Sequence, residues 1–191
     1  MSKFVENMRN IVRTSTNLEI NDEESTIETH HEKTVMKLLH YQRSDFQVGA
    51  MIGQGSFATV HKAKELATGR DVALKIVRPE SELDICPGPN GTSPDVSYDD
   101  VLKAMKLEIQ YIEAVGLHPN IIRIIGTAED CRVFSMECAA ADLYNLVKKQ
   151  PQLPLAMVQR WSRDMLEAVA HIHDMGVVHQ DIKSSNVLIF A

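Results

Sequence analysis

The chain has 191 residues, enough for one domain or a domain with a tail. Hydrophobic residues make up 44% and charged residues 24%, which excludes collagenous, low-complexity and wholly disordered classes. A formal net charge of −6 gives no basic excess to attract a phosphate polymer or an anionic surface, so neither nucleic acid nor a membrane is the expected partner.

Residues 1–45 are polar, with the run Asn21-Asp22-Glu23-Glu24-Ser25-Thr26 and the pair His30-His31, and read as a flexible extension. No third ligand at metal spacing follows the histidines, which are read as solvated. The start of the chain lacks the apolar stretch of a signal peptide, and no apolar run approaches a membrane span. From Phe46 the alternation Phe46, Val48, Ala50, Ile52 predicts a strand, interrupted by Gly53-Gln54-Gly55-Ser56. Phe57–Ala63 predicts a second strand, and Asp71–Val77, after the turn residues Ala67-Thr68-Gly69-Arg70, a third. Short turns between them imply an antiparallel sheet. Residues 79–96, with Pro79, Pro87, Gly88, Pro89, Gly91 and Pro94, hold too many breakers for a regular element and predict a long loop.

Ser97 followed by Asp100 predicts a capping box, opening a helix with Val101, Met105, Ile109 and Ile112 on one face and Gly116 as its stop. Ile121–Ile125 and Arg132–Met136 predict two further strands. Past Asp142 the pattern turns helical, and Pro154 opens a helix in which Val158, Trp161, Met165, Val169, Ile172 and Met175 keep a 3.6-like period up to Gly176. The three cysteines, Cys86, Cys131 and Cys138, form no Cys-x-x-Cys pair, which argues against a disulfide framework or zinc site and for a reducing intracellular compartment, the cytoplasm first.

Four groups carry chemistry. Gly53-x-Gly55-x-x-Ala58 suits close approach of backbone amides to phosphates. The strand-like Thr59-Val60 after it opposes a dinucleotide-binding turn, which opens a helix, and favours a strand-loop-strand flap. Lys75 shares a strand face with Ala73, and a cation in so apolar a strand needs an anion. Glu108, at the edge of the apolar face of the 98–115 helix, can supply it. Last, His179-Gln180-Asp181-Ile182-Lys183-Ser184-Ser185-Asn186-Val187-Leu188 sets a carboxylate, an ammonium and an amide in one loop, able to accept a hydroxyl proton, steady a phosphoryl group and hold a divalent metal.

In this order the motifs resemble the first half of a eukaryotic-type protein kinase domain. The resemblance implies an α+β fold with a five-stranded antiparallel N-lobe sheet and one helix at residues 46–138. The first helices and catalytic loop of a helical C-lobe would fill 139–191. It implies ATP and Mg²⁺ as cofactors. Lys75 would hold the α- and β-phosphates and pair with Glu108, Asp181 would deprotonate the substrate hydroxyl, and Asn186 would bind Mg²⁺. Lys183, two residues after the aspartate, is similar to the serine/threonine branch, so the implied substrate is a protein serine or threonine hydroxyl. Ile52, Gly53 and Gly55 would cover the nucleotide, and Val60, Ala73 and Leu188 would sandwich the adenine. Met136-Glu137-Cys138 would form the hinge, and Asp142 would lie near the ribose.

Three departures bear on this. Ala58 replaces a third glycine, and Gln180 stands where the family carries an arginine that pairs with a phosphorylated activation segment. No Asp-Phe-Gly occurs before Ala191. The resemblance therefore implies a truncated domain, inactive or nearly so as written, with the apolar face of the 154–175 helix left for a partner to cover. A catalytically inactive, kinase-like binding module is the alternative. The intact Lys75, Glu108, Asp181 and Asn186 oppose it.

Overall fold

The strand Asp71–Val77 organises the molecule, because both of its faces are covered and each belongs to a different hydrophobic cluster. The computed structural model describes residues 12–15, 38–83 and 96–190. Most of the 79–96 loop, the His30-His31 pair, Cys86 and most of the polar extension lie outside these. In chain order the elements are β1 (Val12–Ser15), β2 (Leu39–His40), β3 (Phe46–Gln54), β4 (Ala58–Glu65), β5 (Asp71–Val77), α1 (Tyr98–Val115), β6 (Ile124–Ala128) and β7 (Val133–Glu137). They continue with β8 (Ala141–Asp142), α2 (Leu143–Lys149), α3 (Leu155–Asp174) and β9 (Val187–Phe190).

One sheet has the order β2-β6-β7-β5-β4-β3, antiparallel except where β2 runs parallel to β6. On β5, Ala73 and Val77 join Val101, Met105, Ile109 and Ile112 of α1 in one core cluster, together with Phe134 and Met136 of β7. Val72 and Leu74 join Phe46, Ala63, Ile125 and Val133 on the other face. Helix α1 therefore lies on the Ala73–Lys75 side. Its start is the capping box anticipated above: the Asp100 amide donates to Ser97 Oγ at 3.2 Å and the Ser97 amide to Asp100 Oδ2 at 3.0 Å. It ends at Gly116, whose φ of 75° only glycine adopts without cost.

The sixth strand corrects the five-stranded expectation. A two-residue strand is too short to show alternation, so Leu39–His40 was not legible, and the sheet begins ahead of the Phe46 boundary. What admits the strand is Gly126 on β6. A Cβ there would lie 2.3 Å from the Leu39 carbonyl oxygen and 2.6 Å from the Tyr41 ring. The Tyr41 amide donates to the Thr127 carbonyl at 2.8 Å, and its ring meets Phe46 edge-on at 4.9 Å.

A second, three-stranded sheet has β9 at its centre, with β8 antiparallel on one side and β1 parallel on the other. Helix α3 packs through Trp161 against Val187 and Ile189 of β9, and through Ala168 and Ile172 against Val115 and Ile121. The apolar stripe expected to stand open is thus covered at Trp161 and Ile172 by the chain itself. Leu155 and Leu166, off that line, are 71% and 69% exposed. No helix among the described residues is long and apolar enough to cross a membrane.

Candidate functional site

Between the six-stranded sheet and the β8–α2–β9 region lies a cleft of about 640 Å³. Of the residues singled out from the sequence, Ile52, Gly53, Gly55, Val60, Ala73, Lys75, Glu108, Met136, Glu137, Asp142, Lys183, Asn186 and Leu188 line it. Cys138 does not. Its Sγ instead faces the Ala139 carbonyl at 3.8 Å, and burial pushes its thiol pKa up, with the charges of Lys62 and Asp71 nearby. The roof is the β3–β4 hairpin, closed by the Gly55 amide donating to the Ala58 carbonyl at 2.8 Å. A Cβ on Gly53 would meet Val60 at an ordinary 3.5 Å. The protein's own packing therefore leaves room for a side chain there, and a bare backbone is of use mainly to whatever occupies the cleft.

Lys75 and Glu108 are 33 positions apart, and the packing of α1 on β5 brings them together. Lys75 sits mid-strand, paired with Val60 of β4 and Phe134 of β7. Its Nζ lies 2.6 Å from both Glu108 oxygens and 5.4 Å from the centre of the Phe134 ring. The Glu108 side chain is 3% exposed and that of Lys75 13%. So dry a pair is costly to assemble and fixes both groups once formed. The ammonium also borders the cleft, where a second anion could share it.

The other wall is the loop before β9. Asn186 Nδ2 donates to the Asp181 carbonyl at 2.7 Å and to Asp181 Oδ2 at 2.9 Å, which fixes the amide orientation and leaves Oδ1 as the free acceptor type. Lys183 Nζ lies 2.9 Å from Asp181 Oδ2. Behind them His179 is buried, and burial pushes its pKa down although the Asp181 charge opposes this. Its Nδ1 accepts from the Asp181 amide at 3.2 Å, so a neutral ring carries its proton on Nε2, which has no acceptor among the described residues.

Gln180 turns this loop at a φ of 61°, and the Asp181 amide reaches back to the His179 carbonyl at 2.9 Å. A non-glycine residue held there costs on the order of 1 kcal/mol or more. Gln180→Gly should therefore raise unfolding stability by about 1 kcal/mol in urea titrations, and a loss would show that the side chain repays the strain.

Sequence reasoning missed several lining residues. Asn145 and Lys149 reach the cleft from α2, three and seven positions after Asp142, a spacing on one helical face that the cap at Asp142 could have revealed. The Asp142 carboxylate is taken up in that cap, accepting from the Asn145 amide at 2.8 Å and from Asn145 Nδ2 at 2.6 Å. Ala139–Ala141 and Ser185 also line the cleft. Among the described residues no cluster of three or more His, Cys, Asp or Glu side chains is arranged for a metal ion.

Comparison with known proteins gives the family frame. Residues 46–191 match the protein kinase domain. A mitogen-activated protein kinase kinase kinase of Pyricularia oryzae is 30% identical over 76% of this chain and 16% of its own length. The cytokinesis protein sepH of Emericella nidulans is 28% identical, covering 75% of this chain and 10% of its own. CBL-interacting protein kinase 11 of Oryza sativa subsp. japonica is 27% identical, over 75% and 26%. The chain thus spans between a tenth and about a quarter of these relatives.

Proposed function

The chain belongs to the protein kinase domain family, and on that premise we propose that its cleft binds ATP with Mg²⁺ for transfer of the γ-phosphate to a serine or threonine hydroxyl of a protein substrate. In the transfer the hydroxyl oxygen bonds the γ-phosphorus, the bond to the β-phosphate oxygen breaks, ADP leaves, and the hydroxyl proton passes to Asp181. The observation that carries this reading is the buried Lys75–Glu108 pair, whose ammonium opens onto the same cleft as Lys183 and Asn186. Lys75 would hold the α- and β-phosphates, the backbone of Gly53–Ala58 would cover them, and Lys183 would steady the phosphate in flight. Val60, Ala73 and Leu188 would sandwich the adenine, with the Met136–Cys138 segment at its edge. The residues fit the metal through one oxygen, since Asn186 Oδ1 is the hard donor type that Mg²⁺ takes. Mg²⁺, when bound, neutralises phosphate charge. Gln180 in place of the family's arginine implies that phosphorylation of an activation segment does not act through that position.

The test separates binding from chemistry. Asp181→Asn should leave the affinity for fluorescent mant-ATP with Mg²⁺ within about twofold, and in a polypeptide that carries Asp-Phe-Gly as well it should lower transfer to a serine peptide by about a hundredfold or more. Lys75→Met should weaken binding itself. A preference for NAD over ATP, or an Asp181→Asn variant that transfers phosphate normally, would refute the reading.

A further inference from the structure

His118 and His171, far from the cleft, stack at 4.6 Å between ring centres with 26° between their planes. His171 is on α3, and its Nε2 donates to the Val115 carbonyl in the last turn of α1 at 2.9 Å. His118 lies in the link between α1 and β6, and its Nδ1 accepts from the Asn120 amide at 3.1 Å. Asn120 Nδ2 in turn donates to Glu167 Oε2 of α3 at 2.9 Å. The neutral pair thus ties the end of α1 to α3 through one carbonyl, one stack and one side-chain amide. Val115 lies two helical turns after Glu108, on the same face of α1.

We propose that His118 and His171 are positioning residues that form a proton-sensitive joint, holding α1, and with it Glu108, against α3 when neutral and releasing it on acidification. Protonation at His118 Nδ1 sets a donor against the Asn120 amide and a charge against the neighbouring ring. His171 keeps its Val115 bond in either state, so His118 is the group that breaks the arrangement. Burial and the His171 charge hold the His118 pKa below the usual imidazole range, while Glu167 of α3 pulls the other way. The sign follows. With the folded pKa below the unfolded one, the stabilisation is full above about pH 6.5 and is lost as pH falls toward the lower folded value. Beside the pair, Val115, Ile121, Ala168, Ile172 and Val177 form an apolar contact indifferent to protons. Acid should therefore loosen the joint without opening the two parts. Only the consequence for ATP rests on the reading of Glu108 given above.

The test is ¹⁵N NMR of the whole chain between about pH 7.5 and about pH 4.5, from above the ordinary imidazole value to well below it. The amides of Ile112–Val115 and Asn120 should shift with the midpoint of His118. His118→Asn, which keeps an acceptor for the Asn120 amide, should abolish that titration. His171→Gln, which keeps a donor for Val115, should move its midpoint upward. Affinity for mant-ATP with Mg²⁺ should fall about fivefold more in wild type than in His118→Asn over the same range, the titration of ATP cancelling in the comparison. Identical amide titrations in wild type and His118→Asn would overturn the joint. A chain that binds no mant-ATP at any pH would refute the nucleotide reading, and the amide titrations would still decide the joint.

Discussion

Glu108→Ala should destabilise the protein by about 3–5 kcal/mol, although it deletes only one side chain of a helix, because it strands the Lys75 ammonium in a dry strand. The pair is 13% and 3% exposed, so little solvent screens either charge. Once the carboxylate is gone, the Phe134 ring at 5.4 Å remains against the ammonium and offsets about 1 kcal/mol of the loss. Burial also means that the intact pair is worth far less than the cost of breaking it. The double variant Lys75→Met with Glu108→Leu, which replaces both charges by apolar groups of similar length, should recover most of the lost stability while abolishing mant-ATP binding. Urea unfolding of the two singles and the double measures this directly. Single variants within about 1 kcal/mol of wild type would mean that water reaches the pair and that burial does not set its energetics.

The asymmetry explains which parts of the site were legible. Lys75 announces itself because a charge in Val72–Val77 violates the strand's apolar pattern, and Glu108 because it adjoins an otherwise apolar helix face. Their meeting was inferred from chemical need and is realised by the packing of Ala73 and Val77 on Met105 and Ile109. The Asp181–Lys183–Asn186 loop was legible because three different functional groups fall within six residues. Asn145 and Lys149 look like any polar residues of a short helix, and only the cap at Asp142 orients them toward the cleft. The same holds for Cys138. Its place in the chain puts it beside Glu137, but it follows the last residue of β7, and its Sγ faces the Ala139 carbonyl instead of the cleft.

Outside the cleft, what sequence missed is a matter of contact across distance. His118 and His171 are separated by more than fifty positions, and neither breaks a pattern. The edge strand β2 is two residues long, and its licence is an absence, the missing side chain of Gly126. Both contacts join parts whose local sequence is ordinary. Periodicity reports the faces of elements, and it is silent on which polar residues meet once those faces are buried.

Glu65 is the sharpest instance, and the second large effect is expected there. As the last residue of β4 it reads as a solvated charge at a turn, yet it is 3% exposed. The hydroxyls of Tyr41 and Thr68 both donate to it, and Arg70 Nη2 lies 2.9 Å from its Oε2. Tyr41 leads directly on from β2, so this carboxylate fastens the edge strand to the β4–β5 turn. The hydrogen bonds from Thr68 and Tyr41, which outweigh burial and are joined by Arg70, lower the Glu65 pKa from 4.5 to about 2. Burial, then the bond to Glu65, raises that of Tyr41 from 10.0 to about 12. A depressed carboxylate stabilises the fold above its unfolded value, and the contribution disappears as pH falls from about 4.5 to about 2. It is worth about 3 kcal/mol at neutral pH. A raised phenol acts at the other end, its contribution being full below pH 10 and lost as pH rises toward 12. Glu65→Gln should therefore cost about 2–3 kcal/mol at neutral pH, since Arg70 can only donate and the new amide adds donors among donors. It should also flatten the acid limb of the stability profile between those two carboxylate values. Urea unfolding of wild type and variant at several acid pH values would show it. Parallel profiles would mean that Glu65 is hydrated in solution and that the edge strand is held by its pairing with β6 and the contacts of Tyr41 with Thr127 and Phe46.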